Sequence, residues 1–574
     1  MDACSPSGPM MAQILYTPHW CKPVFCDDPR EVPPFTQALL WQSGDEYSFL
    51  LPLSVSCSAW LEGSPSGLLL VTEASPDRDP LPCAIVTRDR DPYAAIRQAF
   101  RKAAELAGIP TREDKSLPGF AKYLGWCTWD AMEIWVDSRG ITDKLREFRE
   151  KKVPVRWILI DDMWAEVEWT ETLEPFTCHE KSFPVMHSSR LRDLEGDPDR
   201  FPGGIARCIE QIKQEGYMAG LWFPVTGYWA GLAAGSPAME ELGAFTRLIG
   251  DRRLPELADP ASAEGFYSRI CSRLRAHGAD FIKADNQSFV RHQIKDSLPA
   301  PVLCRHLHAA LDQAADKYFG GAIINCMGMA NDNMFARSSA ICRSSGDFQP
   351  ENREWFRRHL LQCSFAGLTQ GSLFFNDWDM WWTDDAQAVR NSVARAVSGG
   401  PVYVSDRIGR TRPEILEPLC LEDGRLLMCD EPAVPVRSCL LTPPDHRAFG
   451  VFSRQNDAVF VAAFNLTDMP SAPISIDPAE FGIEGPCAVC EHFSGARWIG
   501  RGECEVKDSA LIKLVPIRNG AACLGIMEKY ISTAAVETRG NLVVPLASGT
   551  LLTCSDGAWR EIKVRKNQAV NMQQ

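Results

Sequence analysis

The segment Asp280-Phe281-Ile282-Lys283-Ala284-Asp285-Asn286 is a short apolar run that ends in a lysine and an aspartate. A second segment, Ile341-Cys342-Arg343-Ser344-Ser345-Gly346-Asp347-Phe348, has the same arrangement with an arginine ahead of the aspartate. Runs this short and this apolar are typical of strands in a parallel sheet that is buried on both faces. The two segments therefore predict a parallel sheet that carries charged groups at its strand ends.

Runs of the same kind recur on both sides of these segments, and helical patterns separate them. The predicted strands are 123–126, 155–160, 218–223, 280–284, 322–326, 339–342, 372–375 and 401–404. The helical patterns are 141–151, 205–215, 261–276, 301–317, 353–363 and 385–397, with 412–419 as a candidate closing helix. Eight strands that alternate with helices predict an α/β fold, a (β/α)₈ TIM barrel over residues 116–425.

The alternation is absent at both ends of the chain. Residues 1–115 show β-prone runs separated by turn residues, followed by an amphipathic helix at 92–107, and predict an N-terminal β-rich domain with a linking helix. Residues 426–574 show antiparallel strand patterns with Asn, Asp, Gly and Pro turns, and predict a C-terminal β-sandwich. These flanking domains are candidates for carbohydrate binding or for a homo-oligomer interface.

The bulk composition excludes several classes of protein. With 574 residues and 45% hydrophobic side chains, the chain has enough apolar material for a large core. Its net charge of -14 argues against nucleic acid and against an anionic membrane surface as partners. The start of the sequence shows no secretory signal, and the 21 cysteines are scattered, so we expect reduced thiols and a cytoplasmic location.

Two groups of cysteine and histidine residues are candidates for metal sites. Cys487 and Cys490 form a single CxxC, whereas structural zinc prefers four ligands. Cys304, His306 and His308 lie in a helical pattern that points the two histidines to different faces. The sequence therefore predicts no metal and no cofactor.

Carboxylates, cations and tryptophans follow the predicted barrel strands, at the ends where barrel enzymes place their chemistry. The candidate binding residues are Trp129, Asp161, Asp162, Trp164, Trp229, Lys283, Arg343, Asp377 and Asp379. Carboxylates accept hydrogen bonds from hydroxyl groups, and aromatic faces stack on the C–H faces of sugar rings. No glycine-rich phosphate loop is present, so a neutral carbohydrate is the expected small-molecule partner.

Several of these residues, and the neighbouring Trp126, also have a structural interpretation. Trp126 and Trp129 could pack in the barrel, and Asp161 with Asp162 could cap the segment that follows the second strand. Lys283 and Arg343 could be partners in structural ion pairs. Their common position at one rim of the barrel favours a binding site.

Two carboxylates that meet in one pocket are the catalytic groups typical of a glycosidase. Asp285 is the candidate nucleophile, and we expect Lys283 to lower the pKa of its carboxyl group. Asp347 is the candidate acid/base, for which partial burial beside Phe348 would raise the pKa and Arg343 would lower it. A separation of ~5–5.5 Å between the two carboxyl groups would indicate retention of the anomeric configuration, and ~6.5–9.5 Å would indicate inversion.

The chain resembles the raffinose synthase and alkaline α-galactosidase (seed imbibition protein) family, which is related to the classical retaining α-galactosidases. The matching segments are 125–130, 160–164, 227–229, 283–285, 343–350, 377–380 and 403–406. The resemblance implies a retaining mechanism with Asp285 as nucleophile and Asp347 as acid/base. It also implies that Asp161, Asp162, Lys283 and Arg343 hold galactose hydroxyls and that Trp129 lines the pocket.

Several activities remain open from the sequence. The leading hypothesis is a retaining glycoside hydrolase that removes terminal α-galactosyl residues from small α-galactosides. The alternatives are a galactosyltransferase of the raffinose-synthase type and a retaining α-glycosidase for a modified sugar such as α-N-acetylgalactosamine. A non-catalytic sugar-binding protein is the alternative from a different class.

Overall fold

The computed structural model describes residues 6–73, 82–169, 179–294 and 298–572. Residues 1–5, on which the expectation about a secretory signal partly rests, lie outside the described residues. Within the described ranges, no helix combines the length and the apolar character that crossing a bilayer requires.

Eight parallel strands form one sheet in the described part of the chain. They are Gly125–Cys127, Trp157–Ile160, Met218–Pro224, Phe281–Asp285, Ile323–Asn325, Ile341–Arg343, Phe375–Asp377 and Tyr403–Val404. In hydrogen-bonding order the sheet runs from the seventh strand down to the first and ends with the eighth. The Tyr403 hydroxyl donates to Asp377 Oδ2 at 2.8 Å and so connects the two end strands. This order confirms the prediction of a TIM-barrel-like domain.

The predicted helices between the strands are present with small changes in their bounds. The main ones are Ser138–Lys151, Ile205–Gln214, Pro260–Ala276, Ala300–Phe319, Arg353–Gln370 and Ala388–Val397. Asn331–Met334 fills the short link between the fifth and sixth strands, and Pro413–Leu416 lies in the predicted closing helix. Local capping explains the bounds: Asp259 accepts from the first backbone amides of Pro260–Ala276, and Gly320 ends Ala300–Phe319 with a φ of 60°.

The loops after the strands carry further elements. Two hairpins, Ala165–Glu168 with Arg190–Gly196 and Thr246–Ile249 with Arg252–Pro255, follow the second and third strands. Four short helices, Trp129–Met132, His179–His187, Pro237–Leu242 and Phe289–Gln293, lie in the same set of loops. These elements enlarge the rim at the carboxyl ends of the strands.

Aromatic side chains fill the amino-terminal part of the barrel interior. Trp157 and Phe281 meet edge to face with ring centroids 5.3 Å apart, and Phe120 stacks on Phe281 at 4.0 Å. Gly125 and Gly220 make room for them, because a Cβ at these positions would lie only 2.0 and 2.3 Å from the Trp157 and Phe281 rings. Such alternation of small and large residues fills a tapering barrel. The polar residues are thereby concentrated at the opposite, carboxyl end.

A seven-stranded antiparallel sheet precedes the barrel. Its strands are Met10–Leu15, Cys21–Cys26, Thr36–Ser43, Glu46–Pro52, Ser58–Ser64, Gly67–Glu73 and Ala84–Asp89, and helix Pro92–Ala107 follows them. The Asn331 amide of the barrel donates to the carbonyls of Gln37 and Pro52 in this sheet at 3.0 and 2.9 Å. The sheet is thus hydrogen-bonded to the loop after the fifth barrel strand.

Antiparallel strands also follow the barrel. The largest sheet contains Val434–Pro435, Phe449–Gln455, Ala458–Phe464, Cys487–Glu491, Arg497–Ile499 and Ser509–Pro516. Ala472–Ile476 pairs with Gly502–Val506 in a two-stranded sheet. One three-stranded sheet contains Ala521–Ile526, Gly549–Ser555 and Ala558–Val564. Another contains Val536–Arg539, Leu542–Pro545 and Val570–Asn571. Cys490, Leu524 and Leu552 share one apolar cluster, which packs the largest sheet against a three-stranded one.

Candidate active site

A cavity of about 270 Å³ opens at the carboxyl ends of the barrel strands. Nine of the residues predicted from the sequence line it: Trp129, Asp161, Asp162, Trp229, Lys283, Asp285, Arg343, Asp347 and Asp379. They come from the first, second, third, fourth, sixth and seventh strands or the loops that follow. Its volume is close to the lower end of ligand pockets, ~300 Å³, and therefore suits a small ligand unit.

Asp285 is the last residue of the fourth strand and is only 7% exposed. Its Oδ2 accepts from Trp222 Nε1 at 2.9 Å, and its Oδ1 accepts from the Asn286 backbone amide at 2.7 Å. Burial raises the pKa of Asp285, and the opposing effects of Lys283 and of these two donors do not cancel it. Lys283 lowers the pKa of Asp285, as expected from the sequence, but desolvation is the larger effect and the net pKa is raised.

Asp347 lies in a different environment from Asp285. Its side chain is 55% exposed, and its Oδ1 accepts from the Arg343 guanidinium at 2.9 Å. The same Arg343 nitrogen donates to Asp379 Oδ2 at 2.5 Å, and the Phe348 amide donates to that oxygen at 2.7 Å. Arg343 thus connects the buried Asp379 to the exposed Asp347 and fixes the position of both.

Asp379 also presents a free oxygen. Its Oδ1 is buried and has no hydrogen-bond partner within the described structure. Burial raises the pKa of Asp379 to about 6, although Arg343 opposes this effect. A buried carboxylate oxygen that lines a cavity without a partner is ready to accept a hydrogen bond from a ligand hydroxyl.

Lys283 makes its ion pair with Asp161 and not with Asp285. Lys283 Nζ lies 2.8 Å from Asp161 Oδ2, and both side chains are 4% exposed. Burial alone would lower the pKa of Lys283, but Asp161 raises it well above its ordinary value, so the lysine stays charged. The Cys127 thiol donates to the same Asp161 oxygen at 3.2 Å.

Asp162, which lines the cavity, is held by three donors. Its Oδ1 accepts from the Tyr228 hydroxyl at 2.7 Å and from the Met163 amide at 2.6 Å, and its Oδ2 accepts from Trp229 Nε1 at 2.7 Å. Burial nevertheless raises the pKa of Asp162 to about 7. This carboxyl group therefore titrates near neutral pH.

The backbone at the rim adopts left-handed conformations directly beside the candidate residues. Met163 follows Asp162 with a φ of 71°, and Asn286 follows Asp285 with a φ of 58°. Asp379 itself has a φ of 64°. Left-handed conformations of residues other than glycine are uncommon and concentrate at functional sites, where they aim side chains.

Two predicted binding residues do not line the cavity. Trp164 is fully buried, and its indole N–H donates to the Trp222 carbonyl at 2.7 Å. Asp377 is fully buried and accepts from Tyr403 and from the Asp379 amide, each at 2.8 Å. Both residues therefore support residues of the site from behind.

Other cavity residues were not predicted. They are His19, Trp20, Asp130, Phe183, Met186, His187, Trp222, Met327 and Met380. Asp130 and Trp222 had a usable signal, because they belong to the end of the first strand and to the third strand. Desolvation, and then the nearby Asp379, raise the pKa of Asp130 well above its ordinary value. His19 and Trp20 carried no signal, because they lie outside the barrel pattern.

No group of three or more metal-ligating side chains is placed to hold an ion in the described part of the chain.

Comparison with family models matches residues 81–249 and 254–457 to the family described as raffinose synthase or seed imbibition protein Sip1. Probable galactinol–sucrose galactosyltransferase 6 of Arabidopsis thaliana is 30% identical over 380 residues, 62% of this chain and 50% of that protein. Stachyose synthase of Pisum sativum is 22% identical over 476 residues, 63% of this chain and 56% of that protein. The chain spans about half the length of the curated relatives it matches.

Solved structures share the fold at low identity. The galactosidase domain of an α-galactosidase–sucrose kinase aligns with a TM-score of 0.58 and 11% identity, covering 89% of this chain and 74% of that one. A GH27 β-L-arabinopyranosidase from Geobacillus stearothermophilus aligns with a TM-score of 0.50 and 15% identity, covering 70% of this chain and 98% of that one. At these identities the likeness shows the fold alone, a TIM-barrel-like domain.

Proposed function

The chain belongs to the raffinose synthase or seed imbibition protein family, and from this premise and the geometry of the site we propose that it is a retaining enzyme acting on small α-galactosides. In this proposal the enzyme cleaves terminal α-galactosyl residues through a covalent galactosyl–enzyme intermediate. The observation that carries the proposal is the contrast between two carboxyl groups in one cavity. Asp285 is buried and held by two donors, whereas Asp347 is exposed and held by Arg343.

In the first step the Asp285 carboxylate attacks the anomeric carbon of the galactosyl unit. The bond between that carbon and the glycosidic oxygen breaks, and the oxygen takes a proton from the Asp347 carboxyl group. The donors from Trp222 and Asn286 hold the Asp285 carboxylate in place before the attack. Fixed donors of this kind reduce the reorganisation that the reaction requires.

In the second step a hydroxyl group attacks the same carbon and gives its proton to Asp347. The bond to Asp285 breaks, and its electron pair returns to the carboxylate. Water in this step gives hydrolysis, and a sugar hydroxyl gives transfer.

The remaining cavity residues are proposed to bind the galactosyl unit. Asp161 with Lys283, Asp162 and the free oxygen of Asp379 offer acceptors and a donor for ring hydroxyls. Trp129 and Trp229 supply aromatic surface for the C–H face of the ring. An enclosed set of buried polar groups discriminates strongly between sugars, because a missing hydroxyl leaves a group unpaired.

Transfer to a sugar acceptor is the second candidate. It is favoured by the activity for which the relatives are named, galactinol–sucrose galactosyltransferases and a stachyose synthase. Both candidates share the same covalent intermediate and differ only in the second step.

We also propose the domain limits that the sequence pattern suggested: 1–115, 116–425 for the catalytic barrel, and 426–574. The sheets before and after the barrel support this division, with the last part as a β-sandwich.

The test is release of 4-nitrophenol from 4-nitrophenyl α-galactoside by the wild type and by Asp285→Asn. We expect activity in the wild type and a loss on the order of 10⁴-fold or more in the variant, because removal of a covalent nucleophile has effects of this size. Asp468→Asn is the matched control, since Asp468 is exposed and outside the cavity. Activity of Asp285→Asn close to the wild type would contradict the nucleophile assignment.

Product analysis then separates the two candidates. Nuclear magnetic resonance of the first product should show the α-anomer, as retention requires. Reaction in the presence of sucrose should give galactose if hydrolysis dominates, and a galactosylated sucrose if transfer dominates. A β-anomer as first product would contradict the covalent mechanism.

A further inference from the structure

A short turn outside the barrel forms part of the cavity wall. Residues 16–20, here called the 16–20 turn, connect the first two strands of the N-terminal sheet, Met10–Leu15 and Cys21–Cys26. His19 and Trp20 of this turn line the same cavity as Asp285 and Asp347.

The 16–20 turn is anchored to the loops that follow the fourth and fifth barrel strands. His19 Nδ1 is hydrogen-bonded to the Ser288 hydroxyl, three residues after Asp285. The His19 carbonyl accepts from the Met329 amide at 3.3 Å. Trp20 is 7% exposed and packs in an apolar cluster with Met329 and Ala330. The turn is therefore a fixed part of the wall.

The same turn is connected to the segment that carries Asp347. The Tyr16 hydroxyl accepts from Gln362 Nε2 at 3.0 Å, and Gln362 Oε1 accepts from the Gly346 amide at 2.8 Å. The Arg343 guanidinium lies 5.4 Å from the centroid of the Trp20 ring, within the range of a cation–π interaction. The turn is thus linked through Gln362 to the residue before Asp347, and its Trp20 ring lies against the arginine that holds Asp347.

The position beside Asp347 defines what the turn can contact. An acid/base group must lie within hydrogen-bond reach of the oxygen that it protonates or deprotonates. That oxygen belongs to the leaving group in the first step and to the attacking hydroxyl in the second. The part of the cavity wall beside Asp347 is therefore beside the leaving group and the attacking hydroxyl. Asp161, Asp162 and Lys283 form a separate group, which is hydrogen-bonded to Trp229 and among its own members.

His19 is suited to recognise a neutral hydroxyl. Its Nδ1 is engaged with Ser288, so Nε2 is the ring nitrogen left for a ligand. Burial, and then the neighbouring His292, lower the pKa of His19 to about 4, so the ring is uncharged near neutral pH. An uncharged imidazole binds a hydroxyl without the desolvation cost of an ion.

We propose that the 16–20 turn forms the subsite for the leaving and attacking alcohols, and that His19 is a specificity-determining residue in it. The ligand class is a polyhydroxylated alcohol, such as a sugar. The inference rests on the proposed function and adds to it the element that selects the group at the second step. The N-terminal sheet then contributes to the choice between water and a sugar acceptor.

The test compares wild type, His19→Ala and His19→Gln with 4-nitrophenyl α-galactoside as donor and sucrose as acceptor probe. The readout is the ratio of galactosylated sucrose to free galactose at a fixed sucrose concentration. We expect this ratio to fall about tenfold or more in His19→Ala and to recover in part in His19→Gln, which keeps a donor and an acceptor. His446→Ala is the control, because His446 is exposed and does not line the cavity. A ratio in His19→Ala within twofold of the wild type overturns the inference.

A second measurement does not require turnover. Calorimetric titration of sucrose into the inactive Asp285→Asn variant, with and without His19→Ala, reports the subsite alone. We expect saturable binding that weakens about tenfold in the double variant. Equal affinities, or no binding by Asp285→Asn, overturn the subsite even if galactoside cleavage is observed. Weakened binding in the double variant supports the subsite even if the wild type releases no 4-nitrophenol.

Discussion

Two opposing effects act on the Asp285 carboxyl group, and their balance has consequences for catalysis. Burial disfavours the charged form, whereas Trp222, Asn286 and the Lys283 cation favour it. The net effect is a raised pKa, yet attack on a sugar requires the carboxylate. The fraction of active enzyme therefore decreases as the pH falls through this raised value.

Removal of the Trp222 donor should raise the pKa of Asp285 further. In Trp222→Phe the 2.9 Å hydrogen bond to Oδ2 is lost while an aromatic ring is kept. We expect the acid limb of the profile of kcat/KM against pH to move to higher pH, by about one to two units for one hydrogen bond to a charged group. The measurement is 4-nitrophenol release between pH 4 and 9. An unchanged acid limb with lower kcat would show that Trp222 only packs against the substrate.

Removal of the Asp347 carboxyl group should depend on the leaving group. An activated leaving group such as 4-nitrophenol needs little protonation, whereas the sugar alcohol of melibiose needs a proton from the acid. We expect Asp347→Ala to lower kcat/KM about 10²–10⁴-fold on melibiose and much less on 4-nitrophenyl α-galactoside. Equal losses on the two substrates would contradict the acid role.

The raised pKa of Asp162, about 7, also makes stability depend on pH. An unfolded aspartate titrates near pH 4, so between about pH 4 and 7 the unfolded chain loses this proton while the folded protein keeps it. The contribution of this group to the free energy of unfolding is fully present below pH 4 and is lost as the pH rises to 7. Asp162→Asn removes the titration, so the stability of the variant relative to wild type should rise over this range. Urea denaturation at pH 4, 5.5 and 7 measures it, and a constant difference would contradict the assignment.

The sequence was sufficient to place nine residues at the cavity, because the carboxyl ends of parallel strands meet at one rim. It was not sufficient to separate residues that line the cavity from those behind it. Asp377 ends the seventh strand and Asp379 lies two residues later, yet only Asp379, which has a left-handed backbone, lines the cavity. Such a turn of the backbone depends on packing and is not encoded in spacing.

Among the secondary-structure elements, the apolar runs predicted every barrel strand to within a few residues. The short hairpins after the second and third strands were missed, because strands such as Arg190–Gly196 are rich in charged residues and lack the apolar pattern. Four strands of the N-terminal sheet were not predicted individually: Met10–Leu15, Cys21–Cys26, Thr36–Ser43 and Ser58–Ser64. The reason is similar, because the short strands and turns in this region lack a clear hydrophobic periodicity. Hydrophobic periodicity is a reliable signal of a strand or helix only where one face of the element is consistently buried.

The packing of aromatic side chains inside the barrel depends on Gly125, which leaves room for the Trp157 ring. A Cβ on Gly125 would lie 2.0 Å from the Trp157 ring, so Gly125→Ala forces the ring or the first strand to move. We expect a loss of about 1–3 kcal/mol in the free energy of unfolding, as for other overpacked cores. Gly119→Ala is the control, since a Cβ at Gly119 meets no atom within 4 Å. Both are measured by urea denaturation, and equal stability of the two variants would contradict the packing argument.

The N-terminal sheet and the barrel share polar contacts that no local sequence pattern reveals. The Asn331 backbone amide donates to Gln37 Oε1 at 2.8 Å, and its side-chain amide donates to two carbonyls of the sheet. Asn331 is separated from Gln37 by 294 residues in the chain. The 16–20 turn is likewise held by a long-range contact, between His19 and Ser288, so sequence patterns gave no sign of His19.

The hydrogen bonds of Asn331 to Gln37 and Pro52 form a joint between the barrel and the N-terminal sheet. Asn331→Ala leaves the carbonyls of Gln37 and Pro52 buried without their donor, and each unsatisfied buried group costs about 1–3 kcal/mol. We expect a loss of about 2–4 kcal/mol, whereas the control Asn541→Ala, at an exposed turn residue, should change stability by less than about 0.5 kcal/mol. Because the joint spans the sheet and the barrel, far-ultraviolet circular dichroism and tryptophan fluorescence should report one shared transition that moves to lower urea concentration. If only one of the two probes shifts, the sheet and the barrel unfold separately, and the joint does not couple the N-terminal sheet to the cavity.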